Sequence, residues 1–443
     1  VSLTPNDFAA RYLFASWLDT PLLAGVVRVY LPLSRLWATA LDADESEHVA
    51  HALPMLAAGP QLTWAYRRLH FRAETYGAAE AEWRAAFFDG APRDLRLTFR
   101  RREAAARDFI AARFAFMSVP GWWRVPAMRF DIPDLSTVES AHGPRLASPM
   151  PFAPAAGAVD KSAALERNGL RTYWLRYPSP AGDTAWARVV EPLDATDCPS
   201  HVTLHGLGVE NEMFGHTPDP YRRLVERGIR VIHAEAPHHG RRRTMGWAGG
   251  EPILGRAPLG MLDLLKTWSA EAGRLIAWAR SQGSRRVGLG GISLGALTAQ
   301  QVASHADGWP AESRPDLVLL VTTSGDMLDV SLDGSLARGL GVGTAMAQKG
   351  WNAAALERWR PLLEPAQRPG IDPASILFVL GETDDVTPFR GGQALAERWR
   401  IPPGNRLLRP RGHFSQALAM TVEHELMDRL AQDLTGRPTA NVT

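Results

Sequence analysis

A chain of 443 residues exceeds what one ordinary core organises, so it is read as two domains or one large domain with a substantial elaboration. Hydrophobic residues make up 45% and charged residues 22%, a globular composition that excludes wholesale disorder. A formal charge of +2 gives no argument for a nucleic-acid partner, and a single cysteine, Cys198, excludes an intrachain disulfide and favours a cytoplasmic setting.

Residues 1–125 read as a helical region. Phe8, Leu13, Trp17 and Leu18 stand at helical spacings behind a candidate cap at Thr4-Pro5. No secretory leader is visible there. The apolar run at 22–33 is interrupted by Arg28 and Pro32 and reaches about half of a membrane span, so it is read as a buried helix, with a place on a membrane surface as the alternative. Residues 61–88 carry Leu62, Tyr66, Leu69, Tyr76 and Trp83 among charged positions, and 95–116 form a charged amphipathic stretch; both predict helices. Pro120-Gly121 ends the block. Trp17, Leu33, Trp37, Trp64, Trp83 and Phe109 exceed what these helices can cover by themselves, which predicts a cap packed on the rest of the chain.

Residues 126–160 are rich in proline and small side chains and read as an extended linker lying on a surface. The segment from 161 to 443 has a different texture. Two strands at 170–177 and 184–191 flank the turn Ser179-Pro180-Ala181-Gly182. Strands at 201–204, 229–234, 287–289, 317–321, 376–380 and 406–408 then alternate with helices, notably 259–280 and a closing one at 416–434. Such βα alternation predicts an α/β architecture, a mostly parallel sheet with helices on both faces. Residues 326–370 hold helix-like patches where a lid could sit.

The chemistry is read from strand ends. Gly291-Ile292-Ser293-Leu294-Gly295 lies between a strand and a helix start, the context in which G-x-S-x-G lifts a serine on a strained turn. The flanking glycines are needed because side chains there would strike the neighbouring strand and helix. A serine nucleophile requires a base, an acid that orients it, and donors for the oxyanion. Among thirteen histidines, His413 follows the last strand and precedes the last helix, where its loop can lean over Ser293. Asp384 leaves the strand before it, in Gly381-Glu382-Thr383-Asp384-Asp385-Val386-Thr387-Pro388; Asp385 and Asp326 are the rival acids. The amides of Leu294 and Leu207, the latter in His205-Gly206-Leu207-Gly208, are the expected oxyanion donors, with His205 packing beneath its loop.

With Gly291, Ser293, Gly295, Asp384 and His413 on the motif positions, residues 185–435 resemble an α/β-hydrolase. The stretch Pro237-His238-His239-Gly240-Arg241-Arg242 also resembles a P-x-x-G-x-R segment of a poorly characterised branch of these hydrolases. The resemblance implies hydrolysis of an ester, thioester or amide through an acyl-enzyme, with no cofactor, and leaves the substrate unnamed. It does not reach residues 1–160.

His205, His238, His239 and Arg241 are the expected substrate-contacting residues at the mouth of the site, and Arg241–Arg243 could hold a carboxylate or phosphate or form a solvated loop. His233, Glu235, His238 and His239 match no zinc spacing, so no metal is expected. The reading is a serine esterase acting on a small-molecule or lipid ester. Its rivals are a lipase or phospholipid deacylase in peripheral contact with a membrane, an acyltransferase, a peptidase, and a non-catalytic binding protein on a hydrolase core.

Overall fold

The computed structural model describes residues 14–148, 150–209 and 219–436. The Thr4-Pro5 cap and the helical positions Phe8 and Leu13 lie outside the described residues.

The sheet is built of β1 (Asp160–Lys161), β2 (Leu165–Arg167), β3 (Leu170–Pro178), β4 (Thr184–Pro192), β5 (Ser200–Leu204), β6 (Arg230–Ala234), β7 (Val287–Ile292), β8 (Leu317–Val321), β9 (Ile376–Gly381) and β10 (Arg406–Arg409). Its order is β1-β3-β4-β6-β5-β7-β8-β9-β10, with β2 paired to β3. β3 and β4 are antiparallel, β4 is antiparallel to β6, and from β6 to β10 every pairing is parallel. From β3 onward this is the strand order of the α/β-hydrolase fold. β5, β8 and β9 are buried at every position, as strands covered on both faces must be. Because β6 lies outside β5, the chain reverses its direction of travel across the sheet between β5 and β7. Ligands of open parallel sheets bind at such a switch point.

Among the described residues the first α-helices are α1 (Asp19–Gly25), α2 (Leu31–Leu41), α3 (Ser46–Ala52), α4 (Pro60–Phe87) and α5 (Leu95–Ala111), with one widened π-type turn, Val26–Tyr30, joining α1 to α2. The apolar run at 22–33 is therefore helical but not buried as expected: only Pro32 and Leu33 of it are buried. Residues 22–31 stay partly or fully exposed, with no buried side chain in α1 or in the turn that follows it. No helix among the described residues is long and apolar enough to cross a membrane.

Where an extended linker is expected, the chain forms a further helix, α6 (Leu135–Leu146). Asp134 starts it by accepting from the Thr137 amide at 2.9 Å, a local cap that outweighs the Gly143-Pro144 pair near its end. The rest of this segment lies on the core: the Trp309 indole donates to Phe152 O (2.6 Å), Trp351 to Pro133 O (2.7 Å) and the Ala155 amide to Ala270 O (2.9 Å). Beneath it are α8 (Glu251–Gly255), α9 (Leu259–Ser281) and α10 (Leu294–His305), while α7 (Arg222–Glu226) packs with the closing helix in a separate cluster. α9 is buried nearly all round because the strap covers the face that the sheet does not.

Residues 326–370 form short helices α11 (Ser335–Leu340), α12 (Val342–Gln348), α13 (Ala353–Glu357) and α14 (Arg360–Leu363). Their Leu340, Val342, Met346, Trp351, Leu356 and Trp359 join the main core. After α15 (Phe389–Arg398), the single closing helix expected at 416–434 is two helices, α16 (His413–Ala419) and α17 (His424–Thr435). The break contains Thr421 and Val422, whose branched side chains resist continuation of the helix.

Candidate active site

Four loops at the carboxyl ends of β5, β7, β9 and β10 meet over one point. On the β7 loop, Ser293 has φ 55° and ψ −117°, a strained conformation for a residue with a side chain. The surroundings leave no alternative to glycine on either side. A Cβ at Gly291 would lie 2.2 Å from the Gly295 carbonyl carbon, and one at Gly295 would lie 2.1 Å from Leu204 O. Strand and helix are thus closer together than side chains permit, and Ser293 is held up, partly exposed, at the sheet edge.

His413 Nε2 lies 2.9 Å from Ser293 Oγ, and His413 Nδ1 lies 2.9 Å from Asp384 Oδ2. Asp384 is buried and fully engaged. Its Oδ1 accepts from the amides of Val386 and Thr387, both at 3.0 Å, and its Oδ2 accepts from Thr387 Oγ1 at 2.9 Å. With Asp384 accepting at Nδ1, the neutral ring carries its proton there and turns the Nε2 lone pair to the serine hydroxyl. Burial lowers the His413 pKa, but the Asp384 carboxylate, with smaller contributions from Asp19 and Asp385, outweighs it and raises the value above that of an ordinary histidine.

The rival acids stand elsewhere. Asp326 accepts from the Asp329 amide (2.9 Å), and Asp385 accepts from Ser335 Oγ (2.9 Å). Thr387 was not singled out in the sequence, although an acid followed three residues later by threonine is a local signal for this kind of turn. Asp19 had no local signal at all. Its carboxylate reaches across to α16 and accepts from the Phe414 amide at 2.6 Å.

The β5 loop passes beside the serine: a Cβ at Gly206 would sit 3.8 Å from Ser293 Cβ. Leu207 follows it, partly exposed, and Leu294 begins α10. Two imidazoles hold this loop from below. His205 Nδ1 bonds to Gly206 O (2.8 Å) and its Nε2 accepts from the Ala236 amide (3.1 Å). His239 Nδ1 bonds to Pro237 O (2.9 Å), and its Nε2 accepts from the Gly208 amide (3.0 Å). Both roles need a neutral ring. Burial supplies it, lowering His205 to about 4 and His239 well below its ordinary value.

These contacts correct the expectation that His239 and Arg241 meet substrate, and they hold His205 in the packing role beneath its loop and not in contact with substrate. His239 is fully buried, and His205 has both ring nitrogens engaged in the loop. The Arg241 side chain is 6% exposed and bonded to Glu80 (3.1 Å) and Glu235 (3.2 Å), because α4 comes down on it. Arg242 is buried with Glu271 (2.8 Å), and Arg243 pairs with Asp42 (2.9 Å). His238 remains partly exposed, with Nδ1 at 2.7 Å from Thr244 Oγ1. Among the described residues no group of three or more His, Cys, Asp or Glu side chains is placed to hold a metal.

No family model and no curated protein sequence matches the chain. Solved structures do resemble it. An acetyl xylan esterase from Paenibacillus sp. R4 is 14% identical, with 69% of this chain and 96% of that one covered and a TM-score of 0.46. A cold-adapted esterase from an Arctic intertidal metagenomic library is 16% identical, covering 61% of this chain and 97% of its own, with a TM-score of 0.39. An esterase from Pyrococcus furiosus is 14% identical, covering 60% and 92%, with a TM-score of 0.40.

Proposed function

We propose that the protein is a serine hydrolase that cleaves carboxylic esters through an acyl-enzyme. One observation carries the reading: Ser293 Oγ, His413 and Asp384 form a continuous chain of 2.9 Å contacts on a strained strand-to-helix turn. Ser293 attacks the ester carbonyl as His413 Nε2 takes its proton. The C–O bond to the leaving group breaks, and the alkoxide receives that proton from His413. Water then attacks the acyl-enzyme, giving its proton to His413, which returns it to Ser293 as the acid departs. Asp384 keeps the ring in its tautomer and stabilises the imidazolium. The amides of Leu207 and Leu294 are assigned to the oxyanion.

A fluorophosphonate probe and a panel of p-nitrophenyl esters of graded chain length test this. The wild type should be labelled and should hydrolyse at least one ester. Ser293→Ala should take no label, keep its fold, and lose on the order of 10⁴- to 10⁶-fold in turnover. Absence of labelling in the wild type would return the chain to the non-catalytic reading.

A second reading, hydrolysis at an anionic lipid surface, is favoured by one feature of α4. Trp64, Arg67, Arg68 and Phe71 are exposed on one face of the helix, at the spacing that combines aromatic anchors with cations. Sedimentation with vesicles containing anionic phospholipid tests it. Binding lost in Trp64→Ala/Phe71→Ala supports this reading, and equal sedimentation of the variant removes it.

A further inference from the structure

The N-terminal region contributes more than cover. α1 begins beside the histidine loop, and its continuation through Val26–Tyr30 ends against the β5 loop, where the Tyr30 hydroxyl donates to Gly208 O at 3.2 Å. Between these ends Val27 packs against Gly339 of α11. One helix thus touches both loops that flank Ser293.

At the histidine end the contact is unusually close. Asp19 Oδ1 accepts from the amides of Phe414 (2.6 Å) and Ser415 (3.3 Å), and Oδ2 accepts from Ser415 Oγ. Ser415 Oγ in turn accepts from the Gly412 amide at 3.0 Å. The three amides on either side of His413 are therefore tied, directly or through one hydroxyl, to a single carboxylate almost 400 residues away in sequence. Gly412 is the complement of that approach: a Cβ there would fall 2.4 Å from Asp19 Cγ. A short loop before a seven-residue helix is otherwise free to shift, and a displacement of about 1 Å at a general base can cost on the order of 100-fold.

We propose that Asp19 is a positioning residue for His413, so that the N-terminal helical region completes the active site in cis. The proposal rests on the assignment of His413 as the base. The carboxylate acts twice: it fixes the backbone that carries the imidazole, and its negative charge favours the imidazolium formed in each half-reaction. The charged groups around His413 are Asp384 and Asp385 from the β9 loop, Asp19 from α1, and Arg411 on its own strand end, which is paired with Glu423 at 2.8 Å.

The test compares Asp19→Asn and Asp19→Ala with wild type in the full chain, measuring kcat, KM and the pH dependence of kcat/KM on a short ester. Asp19→Asn keeps an acceptor for the amides and removes the charge. Its acidic limb should move to lower pH, because less negative charge holds the proton on His413. Asp19→Ala should show the same movement and lose roughly 10- to 100-fold in kcat with KM little changed. A purely structural contact would lower the folded fraction, and with it activity at all pH values, leaving the limb in place. An unmoved limb together with wild-type kcat in Asp19→Ala overturns the proposal. Ser293→Ala separates the two readings: an inactive Ser293→Ala beside a fully active Asp19→Ala defeats this inference alone, whereas an active Ser293→Ala defeats the function on which it rests.

Discussion

In the sheet domain, β8 buries apolar side chains at every position, β9 does so up to its terminal Gly381, and neutral imidazoles hold the loop beside the serine. The N-terminal helices meet that domain by different means. Trp83, Ala86 and Phe87 of α4 pack on Trp174 and Trp186 of β3 and β4, and beside this aromatic cluster Glu80 bonds Arg102 (2.6 Å) and Arg241 (3.1 Å). Arg243 grips Asp42, and Asp19 grips α16. The core is thus organised by burial, which is non-directional and tolerant of exchange between apolar residues. The seam is organised by charge and ring geometry, which fix orientation. A region that supplies a residue to a catalytic loop needs orientation more than bulk, and the contrast is what its attachment should show.

The sharpest way to break this comparison is at the site, where the core's own chemistry should dominate. Asp384→Asn should lower turnover by about 10⁴-fold, since an amide favours the wrong imidazole tautomer, and should leave the seam untouched. Asp385→Asn and Asp326→Asn should cost far less, because their carboxylates bond Ser335 and the Asp329 amide. Turnover on a p-nitrophenyl ester ranks the three. If Asp326→Asn proved the most damaging, the acid would follow β8 and the geometry over Ser293 would have been misread.

At the seam the expected effect is on stability. Glu80 is buried, and burial alone would raise its pKa; Arg241 and Arg102 outweigh that and hold it down from 4.5 to about 2. A carboxylate depressed in the folded state stabilises fully above its unfolded value and loses that contribution as pH falls toward the folded one. Glu80→Gln removes the anion that Arg102 and Arg241 share while Arg241 keeps Glu235 (3.2 Å), so the loss should fall at about 3 kcal/mol, the low end for breaking a buried pair. Urea unfolding at pH 7 should show that difference, and the gap between wild type and variant should narrow from about pH 4.5 downward. An equal gap at pH 7 and pH 3 would mean that the pairing contributes nothing.

How much of this was legible from the residues follows the same division. The strands announced themselves because burial on both faces leaves a local mark, as in Leu317–Val321. The serine turn did so because its glycines are a steric requirement visible within five residues. His413 and Asp384 came from their places after successive strands, and the structure brings both to Ser293. What was missed depends on partners far apart in sequence. Arg241 looks like a solvated arginine until Glu80, 161 residues earlier, is set against it. His239 reads as a mouth residue until the Gly208 amide is found on its ring. α6 was hidden because proline and glycine suggest an extended chain, and the cap at Asp134 is a single side chain. Hydropathy alone places the run at 22–33 in the interior, and hydropathy does not say which surface an apolar helix lies along.

The smallest expected effect lies at the part of the seam farthest in function from the serine. Arg243 and Asp42 form a two-pronged pair, Nη1–Oδ2 at 2.9 Å and Nη2–Oδ1 at 3.1 Å, with both side chains about one-sixth exposed. Paired bonds of this kind exceed the usual surface ion pair because the guanidinium plane fixes both at once. A double-mutant cycle with Asp42→Ala and Arg243→Ala should give a coupling of about 1 kcal/mol in unfolding stability. Neither variant should move the acidic limb of kcat/KM, because neither touches the histidine loop. That makes the pair a control for Asp19: both sit in the N-terminal region, both bond the sheet domain, and only one should reach the proton on His413. If Asp42→Ala shifted the limb as far as Asp19→Asn, the N-terminal helices would act on the site as a single rigid body, and the division between orienting contacts and merely adhesive ones would fail.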